Sequence, residues 1–335
     1  MTSNNTVLTD DFGRKHNYLR ISLIEKCNLR CTYCMPADGI VLSPKASLMT
    51  AEEIYAIAQT FVKYGVDKIR LTGGEPTLRK DFPEIIAKLA SLKTEISITT
   101  NGILINKHID LLKQFNVNKI NLSLDTLVAS KFHSITLRDQ FQSVIDNLHL
   151  LLNNDFKIKV NVVLIKGFND VEIIDFIMLS EFLPISIRFI EFMPFAGNEW
   201  DRSKMVSQKE ILDQVQNHFL ESDIEKLEDN KNFTAREFKI KNHIGSFGII
   251  SSITNPFCDG CNRIRLTANG KIKNCLFSNS ETDLLTAFRN GESLENLIGF
   301  SIRNKKKVRA GMNTLDDINN PALNLDNRSM IAIGG

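Results

Sequence analysis

The sequence predicts an α/β protein: a partial TIM-like (β/α)6 barrel followed by a smaller C-terminal domain. Two observations support this fold class. Short β-branched runs alternate with stretches of helical period about six times along residues 18–220, and strands joined by helices pair in parallel through right-handed crossovers. After the polar segment Glu221 to Asn232, short strands follow one another across Gly and Asn turns without long helices between them. We therefore divide the chain into residues 1–220 and 221–335.

The individual elements are predicted from apolar periodicity, turn residues and helix caps. The barrel strands are Tyr18 to Ile24, Lys68 to Leu71, Ile96 to Thr100, Lys119 to Leu124, Lys157 to Leu164 and Ser186 to Phe192. The C-terminal strands are Thr234 to Lys241, Ile244 to Ile250, Arg263 to Thr267 and Lys271 to Asn274. Capping boxes at Thr50 with Glu53 and at Ser207 with Glu210 begin two of the helices. In such a barrel, functional residues lie at the C-terminal ends of the strands and in the loops that follow.

The composition gives no sign of a nucleic-acid or membrane partner. The 335 residues carry a formal net charge of +2, so no global basic field is expected. The most apolar stretch, Phe176 to Phe195, contains Glu181 and Arg188 and does not fit a membrane span. We interpret the short basic run Arg303 to Arg309 as solvated surface. The polar segment Met1 to Asp11 lacks an apolar leader, and we expect a cytoplasmic location.

Cysteines form the first candidate site. In a reducing compartment, six cysteines are better explained by metal binding or catalysis than by disulfides. Cys27, Cys31 and Cys34 lie within eight residues directly after the first strand, and three such thiolates can hold one compact iron-sulfur cluster. A cubane cluster has four irons, so one iron would stay open for a ligand. The alternatives are a structural zinc site completed by a distant ligand, or plain buried thiols.

A second cysteine triad lies in the C-terminal domain. Cys258, Cys261 and Cys275 form the pattern C-x2-C-x13-C. Taken alone, this pattern slightly favours zinc, with His243 as a fourth ligand. The two triads together therefore predict two metal centres, and the residues by themselves leave the nature of the second one open.

Basic residues on several strands predict an anionic ligand. Arg263 and Arg265 lie on one face of a strand, and guanidinium groups match phosphate oxygens in a bidentate way. We expect Arg20, Arg70 and Lys159, on other strands, to face the same barrel mouth. Several cations at one mouth, in a chain with almost no net charge, suggest a polyanionic substrate. The sequence contains no P-loop and no dinucleotide-binding fingerprint.

The first cysteine loop, Cys27-Asn28-Leu29-Arg30-Cys31-Thr32-Tyr33-Cys34, resembles the radical S-adenosylmethionine (SAM) superfamily, with an aromatic residue just before the last cysteine. Gly73-Gly74-Glu75-Pro76, directly after the second strand, resembles the turn that holds the methionine amino group of SAM in that superfamily. The resemblance implies a [4Fe-4S] cluster whose open iron binds SAM. It also implies a deoxyadenosyl radical that takes a hydrogen atom from a substrate.

A longer set of motifs is similar to the GTP 3′,8-cyclase family, which catalyses the first step of molybdenum cofactor (molybdopterin) biosynthesis. The set runs through nearly the whole chain and is jointly specific. It comprises Gly13-Arg14, Tyr18-Leu19-Arg20, Cys34-Met35-Pro36, Arg70 to Pro76, Thr99 to Gly102, Asn121 to Asp125, Arg188 to Met193 and Gly334-Gly335. One departure is Ile24-Glu25-Lys26, where the family usually has Thr-Asp-Arg, and it affects the details of the first cysteine loop.

This resemblance implies a role for each predicted site residue. Cys27, Cys31 and Cys34 would hold the catalytic [4Fe-4S] cluster. The second triad would hold a second [4Fe-4S] cluster that binds the guanine base, which reverses the preference for zinc, and we expect both clusters to face each other across the barrel opening. The Gly334-Gly335 tail would reach into the active site. The expected SAM contacts are Tyr33, Gly74, Ser123 and Met193. The expected GTP contacts are Arg20, Arg70, Thr99, Lys159, Arg263, Ile264 and Arg265.

The reaction implied by the resemblance is the cyclisation of GTP to (8S)-3′,8-cyclo-7,8-dihydroguanosine 5′-triphosphate. The radical would remove hydrogen from ribose C3′, and C3′ would then attack guanine C8. The implied partners are a second copy of the chain in a homodimer, a flavodoxin or ferredoxin as reductant, and a downstream cyclic pyranopterin monophosphate synthase. Two alternatives stay open: another radical SAM enzyme with an auxiliary cluster, or a non-enzymatic zinc-binding module.

Overall fold

The structure, a computed structural model, describes residues 7–229, 231–320, 323 and 327–334. Its strands are β1 Tyr18–Ser22, β2 Lys68–Thr72, β3 Glu95–Thr100, β4 Lys119–Ser123, β5 Lys157–Leu164, β6 Ile185–Glu191, β7 Ile224–Lys226, β8 Arg236–Ile240, β9 Ser246–Ile250, β10 Arg263–Leu266, β11 Lys271–Lys273 and β12 Thr282–Asp283. Its α-helices are α1 Ala51–Lys63, α2 Phe82–Ala90, α3 Ile109–Gln114, α4 Ala129–Thr136, α5 Phe141–Asn153, α6 Ile173–Phe182, α7 Gln208–His218, α8 Leu285–Arg289, α9 Leu294–Arg303, α10 Leu315–Asn319 and α11 Met330–Ile333.

Strands β1 to β6 form the predicted partial barrel. Each pairs in parallel with the next, and helices connect them. The predicted fold class is confirmed, and every predicted barrel strand overlaps an observed one. Both capping boxes also form: Thr50 caps α1 with Glu53, and Ser207 caps α7 with Glu210. Helix α1 then buries Ile54 and its apolar neighbours under the sheet, because its apolar residues recur on one face.

The C-terminal strands join both edges of this same sheet. Strand β10 pairs in parallel with β1, and β9 pairs in parallel with β6, so the order is β12-β11-β10-β1-β2-β3-β4-β5-β6-β9-β8-β7 in the described part of the chain. Strands β11 and β8 pair antiparallel with β10 and β9. The division at residue 220 stays a prediction, and the strands on either side of it share one sheet.

The two faces of the barrel strands differ in polarity. Leu19 and Ile21 of β1 are fully buried under the helices, as are their counterparts on the neighbouring strands. The alternate residues point into the barrel, because side chains alternate along a strand. On β1, β2 and β4 these include Arg20, Arg70 and Asn121, so the interior is polar where most TIM-like barrels are filled with apolar side chains. Such an interior suits a polar ligand.

No helix in the described ranges combines the length and the apolar character needed to cross a membrane.

Candidate active site between two cysteine triads

A cavity of about 310 Å³ lies inside the barrel, and all six cysteines line it. The first triad follows the C-terminal end of β1. Cys261 comes just before β10, whose first residue pairs with Tyr18, the first residue of β1. The triads therefore share a cavity but lie at opposite ends of β1, separated by a strand of roughly 13 Å. The two triads lie across this shared cavity from one another, because β10 begins at the end of the sheet opposite the first cysteine loop.

The first cysteine loop is held by two neighbouring segments. Backbone N–H groups of Arg30 and Thr32 donate to the last turn of α4. On the other side, the Gly74 N–H donates to the Ile24 carbonyl oxygen over 2.7 Å. A Cβ on Gly74 would clash with the Lys26 carbonyl oxygen. Glycine at this turn is thus required for close packing against the cysteine loop, whatever ligand also approaches it.

The three thiols of the first loop lie close enough to repel one another as thiolates. Burial raises the pKa of Cys27 to about 11 and that of Cys34 to about 12. Neighbouring thiolates raise the pKa values of Cys31 and Cys34 further. The buried carboxyl of Asp125 adds to the effect at Cys34. Three thiolates here need a positively charged partner, since burial penalises an uncompensated charge. A [4Fe-4S] cluster supplies that charge, so this loop fits one.

The predicted SAM residues lie at the same end of the cavity. Tyr33, Gly74, Ser123 and Met193 all line it. The Tyr33 hydroxyl donates to the Asp125 carboxylate over 2.8 Å, and burial raises the pKa of Asp125 to about 6.

Asn101 was not predicted as a site residue, although its segment was recognised. Its side-chain amide donates to Asn28 and lies 3.7 Å from the Cys27 sulfur. The amide therefore braces the first cysteine loop from β3, an arrangement that no local pattern in the sequence reveals.

The second triad is surrounded by cations. The Cys261 sulfur lies 3.3 Å from the Lys305 ammonium group. Burial would raise the pKa of Cys261, yet Arg263 and Lys305 lower it to about 5. Burial and the neighbouring thiolates raise the pKa of Cys258. The three sulfurs of this triad are thus also mutual neighbours, and one of them is held as a thiolate by the protein itself.

His243 is not placed to serve as the fourth ligand of the zinc alternative. It does not line the cavity and instead lies 3.0 Å from the Ser180 hydroxyl. In the part of the chain that the structure describes, no group of three His, Cys, Asp or Glu side chains is placed around a single metal ion. Three thiols without that histidine are also the ligand set of a cubane cluster with one open iron.

Three arginines lie abreast on adjacent strands. Arg265 of β10 pairs with Arg20 of β1, which in turn pairs with Arg70 of β2. Burial and Arg265 lower the pKa of Arg20 well below its usual value. The Nε atom of Arg20 is buried without a hydrogen-bond partner, as are one Nη atom of Arg263 and the Thr99 hydroxyl. Like charges side by side are unfavourable unless an anion binds between them, so the row indicates an anion site.

Arg188 is a further cation of the cavity that sequence reasoning left without a role. It lies on β6, lines the cavity, pairs with Glu237 and has a buried Nε atom without a partner. Nearby, the guanidinium carbons of Arg20 and Arg70 lie 5.5 and 5.4 Å from the centre of the Tyr18 ring, within range of a cation–π contact. The alternation of β6 could have revealed Arg188, because it points inward like Ile190.

Two predicted GTP residues do not line this cavity. The Ile264 side chain is fully buried in the core, because it points to the face opposite Arg263 and Arg265. Lys159 lines a neighbouring cavity instead, and burial together with Arg188 lowers its pKa to about 8.

The interpretation of the basic run Arg303 to Arg309 as solvated surface is wrong at two positions. Lys305 and Arg309 are only 3% and 5% exposed. The Arg309 guanidinium donates to the carbonyl oxygens of Ile253, Met312 and Asn313. The run passes behind the second cysteine loop. There Lys305 contacts the Cys261 sulfur and Arg309 donates to backbone carbonyl oxygens.

The C-terminal tail reaches this arginine row. The Gly334 carbonyl oxygen accepts a hydrogen bond from Arg265 over 2.8 Å. Gly334 has a positive φ of 83°, and a Cβ there would clash with the Thr72 hydroxyl. Only glycine fits this position. Gly335, the other half of the predicted tail, lies outside the described residues.

A barrel of this kind with a cysteine triad after its first strand defines a radical SAM protein. The Radical SAM superfamily model matches residues 21–179, and the Molybdenum Cofactor Synthesis C model matches residues 185–310. The class implies one [4Fe-4S] cluster and SAM. The crystal structure of Streptococcus suis SuiB has the same fold, with a TM-score of 0.61 at 17% identity, over 86% of this chain and 67% of that one.

Relatives in other organisms identify the family. The chain is 46% identical to the mitochondrial GTP 3′,8-cyclase of Arabidopsis thaliana, over 98% of this chain and 84% of that protein. It is 47% identical to the molybdenum cofactor biosynthesis protein 1 of Mus musculus, over 98% of this chain and 51% of that protein. It thus spans about half the length of several curated relatives it matches. The chain belongs to the GTP 3′,8-cyclase family of molybdenum cofactor biosynthesis.

Proposed function

We propose that this chain is a radical SAM lyase that cyclises GTP to (8S)-3′,8-cyclo-7,8-dihydroguanosine 5′-triphosphate in molybdenum cofactor biosynthesis. The observation that carries the proposal is the row Arg265, Arg20 and Arg70, in one cavity with both cysteine triads. A triphosphate is the kind of anion that such a row binds, because each guanidinium offers a planar fork of donors. The family relationship supports GTP as its source.

The first cysteine triad and an apolar wall of the cavity are the parts of the site that would support the radical step. When bound, SAM and the reduced [4Fe-4S] cluster would supply a deoxyadenosyl radical that removes the C3′ hydrogen of GTP; C3′ would then bond to guanine C8, and one electron from the reductant and one proton would complete the isomer. Cys27, Cys31 and Cys34 would hold that cluster, and Tyr33, Gly74, Ser123 and Met193 would contact SAM. The stacked rings of Phe195 and Phe277 line the same cavity, and apolar walls exclude the water that would divert a radical reaction.

The second triad would hold a second [4Fe-4S] cluster that orients the guanine base. Its support is the fit of three neighbouring thiols, one of them kept as a thiolate, at the end of the cavity where Arg263 and Arg265 begin β10. The base would then point toward Cys258, Cys261 and Cys275, and the phosphates toward the arginine row. Thr99 would donate its unpartnered hydroxyl to the nucleotide. Lys159 and Ile264 do not line this cavity, so the proposal assigns them no direct contact with GTP.

Anaerobic turnover tests the proposed reaction directly. The reconstituted chain is incubated with SAM, dithionite and GTP that carries deuterium at C3′. The products are then separated by chromatography and identified by mass spectrometry. We expect deoxyadenosine that contains the deuterium, together with an isomer of GTP. ATP in place of GTP is the matched control and should give neither product above background. Deoxyadenosine without deuterium, or without a GTP isomer, would refute the assignment.

Metal analysis separates this proposal from its alternatives. Two cubane clusters require about eight irons and eight sulfides per chain. Zinc without sulfide would favour the zinc-binding module instead. About eight irons with cleavage of SAM but no isomer of GTP would favour another radical SAM enzyme with an auxiliary cluster.

The remaining parts of the proposal concern partners and location. We include a homodimer, a flavodoxin or ferredoxin as the reductant, and a cyclic pyranopterin monophosphate synthase that consumes the product. A cytoplasmic location is supported by six cysteines that are all free. Sedimentation of the reconstituted chain would test the dimer, which predicts a species of twice the chain mass.

A further inference from the structure

Lys305 is the one lysine of its basic run that the fold buries. Its ammonium group donates to the Cys261 sulfur over 3.3 Å and to the Arg263 carbonyl oxygen over 2.9 Å. Its side chain is almost inaccessible, whereas the next two residues, Lys306 and Lys307, are exposed. The chain therefore directs a positive charge at one sulfur of the second triad.

This buried charge has no carboxylate to balance it. In the ranges that the structure describes, none of the ion pairs includes Lys305. The carboxylate of Asp10 is already engaged by Arg14 and His16. An isolated buried ammonium is costly, and a negatively charged partner removes that cost. The Cys261 sulfur is the hydrogen-bond partner of Lys305 that can carry a negative charge.

The contact between Lys305 and Cys261 is braced from a third segment. The Arg14 guanidinium donates to the Cys258 carbonyl oxygen and to the Lys307 carbonyl oxygen, each over 2.8 Å. It thereby ties the second cysteine loop to the segment that carries Lys305. Arg14 is itself fixed by Asp10 over 2.6 Å. The distance between the ammonium group and the sulfur is consequently set by the fold and does not depend on a mobile surface side chain.

We propose that Lys305 is a positioning residue that, beside Arg263, raises the reduction potential of the second cluster through a charged hydrogen bond to the Cys261 ligand. The inference rests on the second cluster of the proposed function. A positive charge and an N–H donor at a ligand sulfur stabilise the reduced, more negative cluster and so raise its potential. At the first triad the Cys27 sulfur accepts from neutral donors, the Leu29 N–H over 3.4 Å and the Asn101 amide over 3.7 Å.

Redox titration of the full-length chain tests this inference. Replacing Cys27, Cys31 and Cys34 with alanine leaves only the second cluster, whose reduction is then followed by its paramagnetic signal. In that background Lys305→Met should lower the ratio of reduced to oxidised cluster at a fixed potential about tenfold, which is about 59 mV for one electron. Lys305→Arg keeps the charge and should stay close to the parent. Lys306→Met, one residue away and exposed, is the matched control and should leave the midpoint unchanged.

The outcomes distinguish this inference from the proposal on which it rests. If the parent background binds no iron and sulfide, the second cluster itself is refuted. If it binds about four irons and Lys305→Met has the same midpoint, only the role of Lys305 is refuted. Iron loss in both Lys305→Met and Lys305→Arg would also overturn the inference, because the side chain would then matter for packing and not for its charge. Iron loss in Lys305→Met alone would overturn it as well, because Lys305 would then be needed to hold the cluster and not to set its potential.

Discussion

The two cysteine triads line one cavity, yet their surroundings are opposite in charge. The first triad lies near the buried carboxyls of Glu75 and Asp125, and burial raises its thiol pKa values. At the second triad, Arg263 and Lys305 lower the pKa of Cys261 despite burial. The first loop therefore depends on a metal cluster for its charge balance, whereas the second is partly balanced by the protein. Similar ligand sets can be given different chemistry by the residues behind them.

The largest expected effect separates the two triads by function. Replacing Cys27, Cys31 and Cys34 with alanine should abolish SAM cleavage, because the cluster whose open iron would bind SAM is lost. Replacing Cys258, Cys261 and Cys275 should abolish the GTP isomer while some SAM cleavage persists. Each triple variant should lose about four irons per chain. Iron analysis and deoxyadenosine assays measure both effects, and equal loss of SAM cleavage in the two variants would contradict the division.

Gly74→Ala should damage the first centre alone. The added Cβ would clash with the Lys26 carbonyl oxygen and displace the first cysteine loop, so we expect loss of about four irons and of SAM cleavage. Gly299→Ala is the control, because that glycine lies in α9 and a Cβ there meets only the flexible end of Arg303. Retention of all the iron in Gly74→Ala would contradict this prediction, because the first cysteine loop would then accommodate the added Cβ and still hold its cluster.

Arg265→Ala should weaken GTP binding without loss of iron. A hydrogen bond to a charged group contributes about 1.5–3 kcal/mol, and each 1.4 kcal/mol is about tenfold in affinity, so we expect a loss of roughly 10- to 100-fold. Equilibrium dialysis of GTP against the anaerobic chain measures this. Arg202→Ala, an exposed arginine outside the cavity, provides the comparison. Unchanged affinity in Arg265→Ala would remove the arginine row from the phosphate site.

The smallest effect concerns the histidine behind the second triad. Burial and Lys305 lower the pKa of His16 from 6.5 to about 3. The unfolded chain then binds the proton more readily below pH 6.5, so His16 contributes stability at higher pH that is lost as the pH falls from 6.5 toward 3. Between pH 7.5 and 5.5 the wild type should lose about 1 kcal/mol of unfolding free energy relative to His16→Gln. Denaturant unfolding at both pH values measures the difference.

The exposed His149 serves as the control for this measurement. His149→Gln removes a histidine on α5 and is measured beside the wild type at both pH values. If the wild type and His16→Gln respond equally to pH, then His16 binds a proton in the folded chain, and the cationic surroundings of the second triad are weaker than the geometry indicates.

Local patterns were sufficient for the barrel. The strands, both capping boxes and the cysteine loops depend on residues a few positions apart, and their spacing is visible in the sequence. The pairing of β10 with β1 was not predictable in this way, because it joins Arg265 to Arg20 across most of the chain. The positions of the two triads at opposite ends of β1 follow from that pairing. Local spacing therefore predicted the contents of the cavity but not its layout.

The charge pattern of residues 303–309 led to a wrong prediction of solvent exposure at the positions that the fold buries. A run of basic residues is usually solvated, and Lys306 and Lys307 obey that rule. Lys305 and Arg309 do not, because sulfur and carbonyl groups meet them below the surface. Residue type alone cannot reveal such partners, since they come from distant segments. The glycine at position 74 was recognised, but its packing against Lys26 required the fold.

Strands from both sides of residue 220 belong to one sheet, so neither segment can be removed without exposing strand edges of the other. Strand β1 is bonded to β10 on one side, and β6 is bonded to β9 on the other. A fragment that stopped before β7 would expose the backbone of both strands, and unpaired strand edges invite aggregation. The C-terminal segment therefore cannot be exchanged as an independent unit, and a truncation that removes it is expected to cost solubility as well as catalysis.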